Sequence, residues 1–430
     1  MQPNGDLLYA EIEEDGRMVM SPELASRYGV RPGTRVHFHE SPDGLYLCRP
    51  TRLARLYIEP TNQCNLDCRT CMHNICNEPP GKMSDAVFAR IIEGLHDFSP
   101  PPTVFFGGFG EPLSHPEIVS MVAQAKALRT PVELITNATL LTTDLSRELI
   151  RAGLDTLWVS LDGATPESYA DIRLGAALPQ VLENIALFRE VVYAETHSIT
   201  PASNQRVKWW RPFPHGTRLG IAFVAMKRNV ADLPEVINIG KRFGAERFLV
   251  TNVLPYTRDM IDEALYYRGL NNGRHRHLNL PGMYADENTF ALISQAIHNV
   301  YGPWAGINVE NSRNRCPFIA SGVGAVSWDG SLAPCLPLLH DHTSYRGHNS
   351  YDEHFSRRWA IGNVVERSLL DLWNMPEHVA FRERVQAFDF SPCTECGGCN
   401  LLLKNEEDCF GNTFPTCGGC LWAQGVIQCP

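Results

Sequence analysis

"IEPTNQCNLDCRTCMHN", residues 58–74, places Cys64, Cys68 and Cys71 behind a short apolar run, at intervals of four and three. A structural zinc site closes a tetrahedron with four ligands and draws its cysteines as CxxC pairs from two segments, so a lone CxxxCxxC does not complete one. A cube of four irons and four sulfides has one iron per corner. Three thiolates therefore leave one iron open to an outside ligand. The loop starts where a strand-like run ends, so all three sulfurs can face a single cube.

Outward from this loop, apolar runs alternate with amphipathic stretches. "RLYIE" (55–59), "TVFFG" (103–107), "VELIT" (132–136), "TLWVS" (156–160), "GIAFVAM" (220–226) and "RFLVTNVL" (247–254) read as strands. In "SDAVFARIIEGLHDF", Val87, Phe88, Ile91, Ile92 and Leu95 recur at helical spacing behind Ser84 as N-cap. His115-Pro116 opens the next helix with proline in its first turn, and Gly153 ends the third. Six strands alternating with helices make an α/β parallel sheet, doubly wound or a partial barrel. Ligands in such sheets collect at the carboxyl ends of the strands, which is where the three cysteines fall.

The chain has 430 residues, 20 % charged and 44 % hydrophobic, with a net charge of −10. That charge argues against nucleic acid, whose phosphates demand a basic surface. The polar, acidic start "MQPNGDLLYAEIEEDG" is no secretory signal, and no apolar run reaches the ~18–20 residues of a membrane span. A cytoplasmic location is expected. Fourteen cysteines in a reducing compartment imply metal or cluster ligation rather than disulfides, and nine of them lie at 316–429. Cys48 and Cys76 fall outside the tight spacings and read as packing cysteines.

The domains expected are a small module at 1–50, a barrel at 51–256, linker and substrate-side loops at 257–312, and a cysteine-rich module at 313–430. The first module reads as strands around a short helix and resembles the AbrB-like swapped-hairpin fold. Its eight acidic residues against five basic favour docking a partner, or packing on the main domain, over DNA binding. Two long loops, 198–218 and 266–288, are basic and read either as surface or as a lid over substrate.

The CxxxCxxC motif resembles the signature of the radical S-adenosylmethionine (radical SAM) superfamily. That resemblance implies a partial (β/α)6 TIM barrel, one SAM-binding 4Fe–4S cluster on Cys64, Cys68 and Cys71, and reductive cleavage of SAM to a 5′-deoxyadenosyl radical. It also implies reduced ferredoxin or flavodoxin as electron donor. Four further segments resemble the superfamily's cofactor motifs. "FFGGFGEPLSHP" carries Gly107, Gly108, Gly110 and Glu111 for the SAM amino group, and "ITN" carries Thr136 and Asn137. "VSLDGATPESYADIR" carries Ser160, Asp162 and Arg173 on the ribose and carboxylate side, with a plain salt bridge as the alternative for Arg173. "NVLP" places Val253 and Leu254 on the adenine side.

In the last module, Cys316, Gly330 and Cys335 form C-x13-G-x4-C, which resembles the start of a SPASM extension. That extension implies two auxiliary 4Fe–4S clusters. The remaining cysteines, Cys393, Cys396, Cys399, Cys409, Cys417, Cys420 and Cys429, depart from its usual spacing, and nine cysteines exceed eight ligand positions. The pairs Cys393/Cys396 and Cys417/Cys420 also have zinc-ribbon spacing, so zinc stays open as the alternative.

The motifs together resemble the tungsten-cofactor oxidoreductase maturase family. The implied function is a maturase acting on the cofactor or apoenzyme of a tungsten-containing aldehyde oxidoreductase, with that oxidoreductase as partner. A SPASM-type enzyme modifying a precursor peptide is the alternative, and a non-catalytic iron–sulfur or zinc adaptor is a remote third. No nucleic acid or membrane partner is expected. His340, His342, His348 and His354 read as a solvated polar loop and His73 as a neighbour of the cluster. No catalytic acid or base can be picked; Asp341, Tyr256, Arg274 and His275 are only polar groups on site-facing loops.

Overall fold

Strand-forming runs of β-branched and aromatic residues build the sheet, and their period-two alternation gives it two apolar faces. The computed structural model describes residues 10–22, 37–41, 44–48, 52–76, 78–197, 216–266, 287–301, 314–345, 353–393 and 399–429. The strands are β1 (Arg55–Ile58), β2 (Thr103–Phe106), β3 (Val132–Thr136), β4 (Thr156–Ser160), β5 (Arg218–Ala225) and β6 (Arg247–Asn252). Each pairs in parallel with the next, in chain order. Helices α1 (Asp85–Leu95), α2 (Ile118–Ala127), α3 (Thr143–Arg151), α4 (Pro166–Ile172), α5 (Leu178–His197) and α6 (Leu233–Arg242) connect them.

Leu56, Ile58, Val104, Phe106, Leu134, Leu157 and Val159 share one core with helix residues such as Phe88, Ile91, Val122, Leu149, Ile185 and Ile237. Tyr57, Phe105 and Trp158 belong to a second core on the opposite face. A doubly wound sheet would reverse its strand order and carry helices on both faces. Unreversed order with the helices in one layer is a partial (β/α)6 barrel. The open alternative is thereby settled.

Ser84 caps α1 by accepting from the Val87 N–H at 3.3 Å, as its sequence suggests. The next helix starts later than expected, at Ile118, because Pro112–Ser114 first forms a 3-10 turn with His115 as its C-cap. α3 ends at Arg151, and Gly153 follows in the left-handed region.

The C-terminal module continues the barrel sheet, which its short strands did not announce. β7 (Val323–Val326) pairs in parallel with β1 on the side away from β2. β8 (Ser331–Ala333) and β11 (Gly362–Asn363) extend it antiparallel, while β9 (His342–Tyr345) pairs with β10 (Glu353–Ser356). Runs of two to four residues are too short for an alternation to be read from sequence. At the N-terminal end of the barrel, buried Glu133 accepts from Trp158 Nε1 (3.0 Å) and Arg247 Nη1 (3.1 Å) and lies 3.6 Å from Arg55 Nη2. That ion cluster closes the bottom and leaves chemistry to the other rim.

In the N-terminal stretch, Ala10–Ile12 pairs with Met18–Met20 and His37–Ser41 with Gly44–Cys48, both antiparallel. Most of loops 198–218 and 266–288, with Arg274, His275, His348 and Cys396, lies outside the described residues. Among the described residues no helix is long and apolar enough to cross a membrane.

Candidate iron–sulfur and cofactor site

The cysteine loop is lashed down from several sides. Thr61 Oγ1 donates to the Gly81 carbonyl (2.6 Å), and Asn74 Nδ2 donates to the Cys68 carbonyl (2.9 Å). The Asp67 and Arg69 N–H groups donate to the Leu174 and Ile172 carbonyls beyond and at the end of α4. Cys71 caps the 3-10 turn Met72–Ile75, its sulfur accepting from the His73 N–H at 3.4 Å. Burial first, and the neighbouring cysteines to a smaller degree, raise Cys64 and push Cys71 up to about 12. Such buried thiols gain from a cation that fixes them as thiolates.

The glycines are dictated by contact. A β-carbon on Gly110 would lie 2.1 Å from the Thr61 carbonyl oxygen and 2.7 Å from that of Gln63. One on Gly108 would meet Glu59 at 2.7 Å. Gly107 donates its N–H to the Ile58 carbonyl (3.0 Å), keeping the turn in register with β1.

Glu111 is 2 % exposed and bonded entirely within the protein. Oε1 accepts from the Leu113 N–H (3.0 Å) and Thr136 Oγ1 (2.7 Å), and Oε2 from the Asn137 N–H (2.8 Å). Burial raises its pKa against these bonds. A carboxylate has about four acceptor directions, so one remains for a ligand ammonium. Asn137 Nδ2 reaches Asn65 Oδ1 (2.9 Å) and lies 4.0 Å from Cys64 Sγ, tying the β3 end to the cysteine loop.

Opposite, Arg173 lies 3.7 Å from Cys68 Sγ through Nη1 and pairs with Asp162 at 2.6 Å. Burial opposes the guanidinium charge, but Asp162 and then Cys68 more than offset it, so the charge stays. Asp162 is held in turn by the Val224 N–H (2.7 Å). Asp162 is fully buried and the Arg173 side chain only 13 % exposed, so the pair is not a surface salt bridge. Ser160 ends β4 half-buried. Val253 packs with Ile172, Met226 and Met260, whereas Leu254 turns to the other core.

Sequence reasoning missed a second group on this rim. Glu59, 1 % exposed, follows β1 directly and accepts from the Phe109 N–H (3.0 Å) and from His340 Nε2 (2.8 Å). His340 Nδ1 lies 2.7 Å from Glu78 Oε2, and half-buried Cys76 is beside them. His340, His342 and His354 are buried, which corrects their reading as a solvated loop: they sit on and beside β9 and β10, against the barrel mouth. An acidic residue at the carboxyl end of a strand was the available signal for Glu59. Tyr256 is buried with its ring 5.8 Å from that of His342, and burial first, then the charges of Cys71 and Cys429, raise its pKa. Asp341 accepts from the Arg358 N–H.

The remaining cysteines divide. Cys316, Cys335, Cys417 and Cys420 line one cavity, and burial first, then their mutual charges, lift their neighbours: Cys316 to about 12, Cys335 and Cys417 well above the ordinary value. Cys393 sits with Cys399 and Cys409. Cys417 and Cys420 thus join Cys316 and Cys335, not the ribbon partner Cys393. Cys429 belongs to neither group. Its side chain lies against Trp422, and it packs against the core that holds Tyr57 and Tyr256.

A parallel partial barrel whose strand ends converge on three thiolates and a buried carboxylate defines an iron–sulfur protein of the SAM-binding class. Residues 58–201 match the Radical SAM superfamily and residues 316–400 the SPASM iron–sulfur cluster-binding domain. The chain is a radical SAM enzyme with a SPASM domain. It is 27 % identical over 382 residues to the tungsten-containing aldehyde ferredoxin oxidoreductase cofactor-modifying protein of Pyrococcus furiosus, covering 87 % of this chain and 96 % of that one. Pre-heme d1 synthase of Dinoroseobacter shibae is 22 % identical over 86 % of this chain and 85 % of its own. In fold it is similar to Streptococcus suis SuiB bound to precursor peptide SuiA (TM-score 0.53, 17 % identity, 83 % of this chain and 71 % of that one).

Proposed function

We propose that the chain cleaves SAM reductively and uses the resulting radical to mature the cofactor or apoenzyme of a tungsten-containing aldehyde oxidoreductase. Cys64, Cys68 and Cys71 would hold the SAM-binding cluster, which supplies the electron and an open iron for the methionine moiety. The carrying observation is the buried junction around that loop: Glu111 on Thr136 and Asn137 on one side, Asp162–Arg173 on the other. Glu111 has one acceptor direction left for an ammonium, and Arg173 offers a fixed cation for a carboxylate. Leu254 and Tyr256, both buried, follow β6 on this rim. The particular substrate rests on likeness over nearly the whole length of the Pyrococcus furiosus protein.

Two auxiliary clusters fit the cysteine groups: one on Cys316, Cys335, Cys417 and Cys420, the other on Cys393, Cys399 and Cys409 with Cys396 of the same segment. They would relay the electron of a product radical outward, with reduced ferredoxin or flavodoxin feeding the first cluster.

Anaerobic iron, sulfide and zinc per chain, measured with 5′-deoxyadenosine formation, test this. Three clusters give about twelve irons, falling to about eight in the Cys64/Cys68/Cys71→Ala triple variant with loss of 5′-deoxyadenosine. Zinc surviving the triple variant beside about four irons in the wild type would replace the relay by a structural ribbon. Product formation on a tungstopterin-loaded oxidoreductase supports the maturase reading; turnover of a precursor peptide alone overturns it.

A further inference from the structure

The cluster of Cys76, Glu78 and His340 at the barrel mouth is distinct from every cysteine group above. We infer that it is a mononuclear divalent-metal site of zinc type, with Glu59 orienting its histidine. One sulfur, one oxygen and one nitrogen atom, from Cys76, Glu78 and His340, lie within 4.8 Å of one another. That mix of a soft thiolate with imidazole and carboxylate is a zinc donor set.

The histidine is already arranged as a ligand. Buried Glu59 takes Nε2 at 2.8 Å and is itself fixed by the Phe109 N–H at 3.0 Å. This leaves Nδ1 turned toward Glu78 and Cys76. Carboxylate–histidine–metal chains have this form, the outer carboxylate setting the tautomer and ring angle. His340 Nδ1 and Glu78 Oε2 are 2.7 Å apart. Ligand bonds of about 2.0–2.2 Å at tetrahedral angles separate such atoms by roughly 3.4 Å, so entry of a metal asks this pair to part by roughly 0.7 Å. Arg358 Nη1, 3.5 Å from Glu78 Oε2, is the cation nearby, and Asp329 holds it at 2.6 Å through Nη2.

Binding balances in charge. The Cys76 S–H and the His340 Nδ1–H leave as two protons, and one divalent ion takes their place. Three protein donors leave a fourth position open, as in catalytic rather than structural zinc sites. Phe109 stands between this site and the cluster loop: its ring is 5.7 Å from that of His340, and its carbonyl is 4.0 Å from Cys71 Sγ. The open position would take a thiolate or oxyanion of a substrate presented to the SAM side of the barrel.

A buried ion triad without metal is the competing account, and Cys76 separates the two because it takes no part in those hydrogen bonds. The iron-loaded protein is incubated with one equivalent of zinc, desalted and analysed for zinc, iron and sulfide, alongside Cys76→Ala and His340→Gln. One zinc per chain is expected in wild type and less than a fifth of that in either variant, with iron and sulfide unchanged. Equal zinc in wild type and Cys76→Ala, or none in either, overturns the site. Should a variant lose iron as well, zinc-edge X-ray absorption of the wild type decides. One sulfur with nitrogen and oxygen neighbours supports the assignment; an all-sulfur shell means zinc in the cysteine groups and overturns it.

Discussion

Glu111 holds three segments at once: its own turn through Leu113, the β3 end through Thr136 and Asn137, and through Asn137 the cysteine loop. Glu111→Ala therefore removes a ligand acceptor and frees three buried donors. A charge-assisted bond is worth about 1.5–3 kcal/mol, so SAM affinity is expected to fall roughly 10- to 100-fold, read by equilibrium binding to the iron-loaded protein. Wild-type affinity in the variant would remove Glu111 from the SAM site. The residue was legible beforehand because the glycines around it share one short segment. Glu59 and His340 were not: they are 281 positions apart in the chain, and only folding joins them. Cys64, Cys68 and Cys71 carry their meaning in their spacing, whereas a lone histidine carries none.

Among the elements, the C-terminal helix Pro376–Ala387 carries a titration switch for stability at His378. Its ring is wholly buried, set edge-on against Trp373 at 4.8 Å. Burial first, and Arg382 second, push its pKa from 6.5 down to about 3. The unfolded chain takes up this proton below about pH 6.5, the folded one only near 3. Stability is thus fully present above pH 6.5 and is lost as the pH falls, at up to about 1.4 kcal/mol per unit. From pH 6.5 to 5 the loss is about 1.5–2 kcal/mol, and His378→Phe, which keeps an edge-on ring, abolishes it. Thermal unfolding of both proteins across that range checks this; identical pH slopes would refute it. Barrel elements with long periodic runs were readable from sequence. This helix was not placed beforehand, because the sequence reading took the C-terminal module from its cysteines.

At the scale of the molecule, the two modules share one sheet and exchange chain. β7 covers the β1 edge, and the chain end runs back into the barrel: Asn252 Nδ2 donates to the Val426 carbonyl at 2.8 Å, and the Gln428 N–H to Thr251 Oγ1 at 2.7 Å. Cys429 rides on this tail, so Cys429→Ala should leave the iron count unchanged, while Cys417→Ala should cost about four irons. The spacing pattern could not say which of the nine cysteines stood apart, since separation along the chain does not fix which core a tail enters. The shared sheet leads to a stronger prediction. A chain ending at residue 312 loses β7, exposing the β1 edge as a pairing template. It also uncovers Tyr57, Phe105 and Trp158, which pack in one core with Phe318, Ile319, Leu421 and Trp422. Unpaired backbone and bare aromatic surface together favour association over folding. The shortened chain is expected to sediment as aggregate and to hold fewer than four irons after reconstitution, even with Cys64, Cys68 and Cys71 intact. A soluble monomer with a full four-iron cluster would mean that the barrel folds alone and that the shared sheet is only a docking surface.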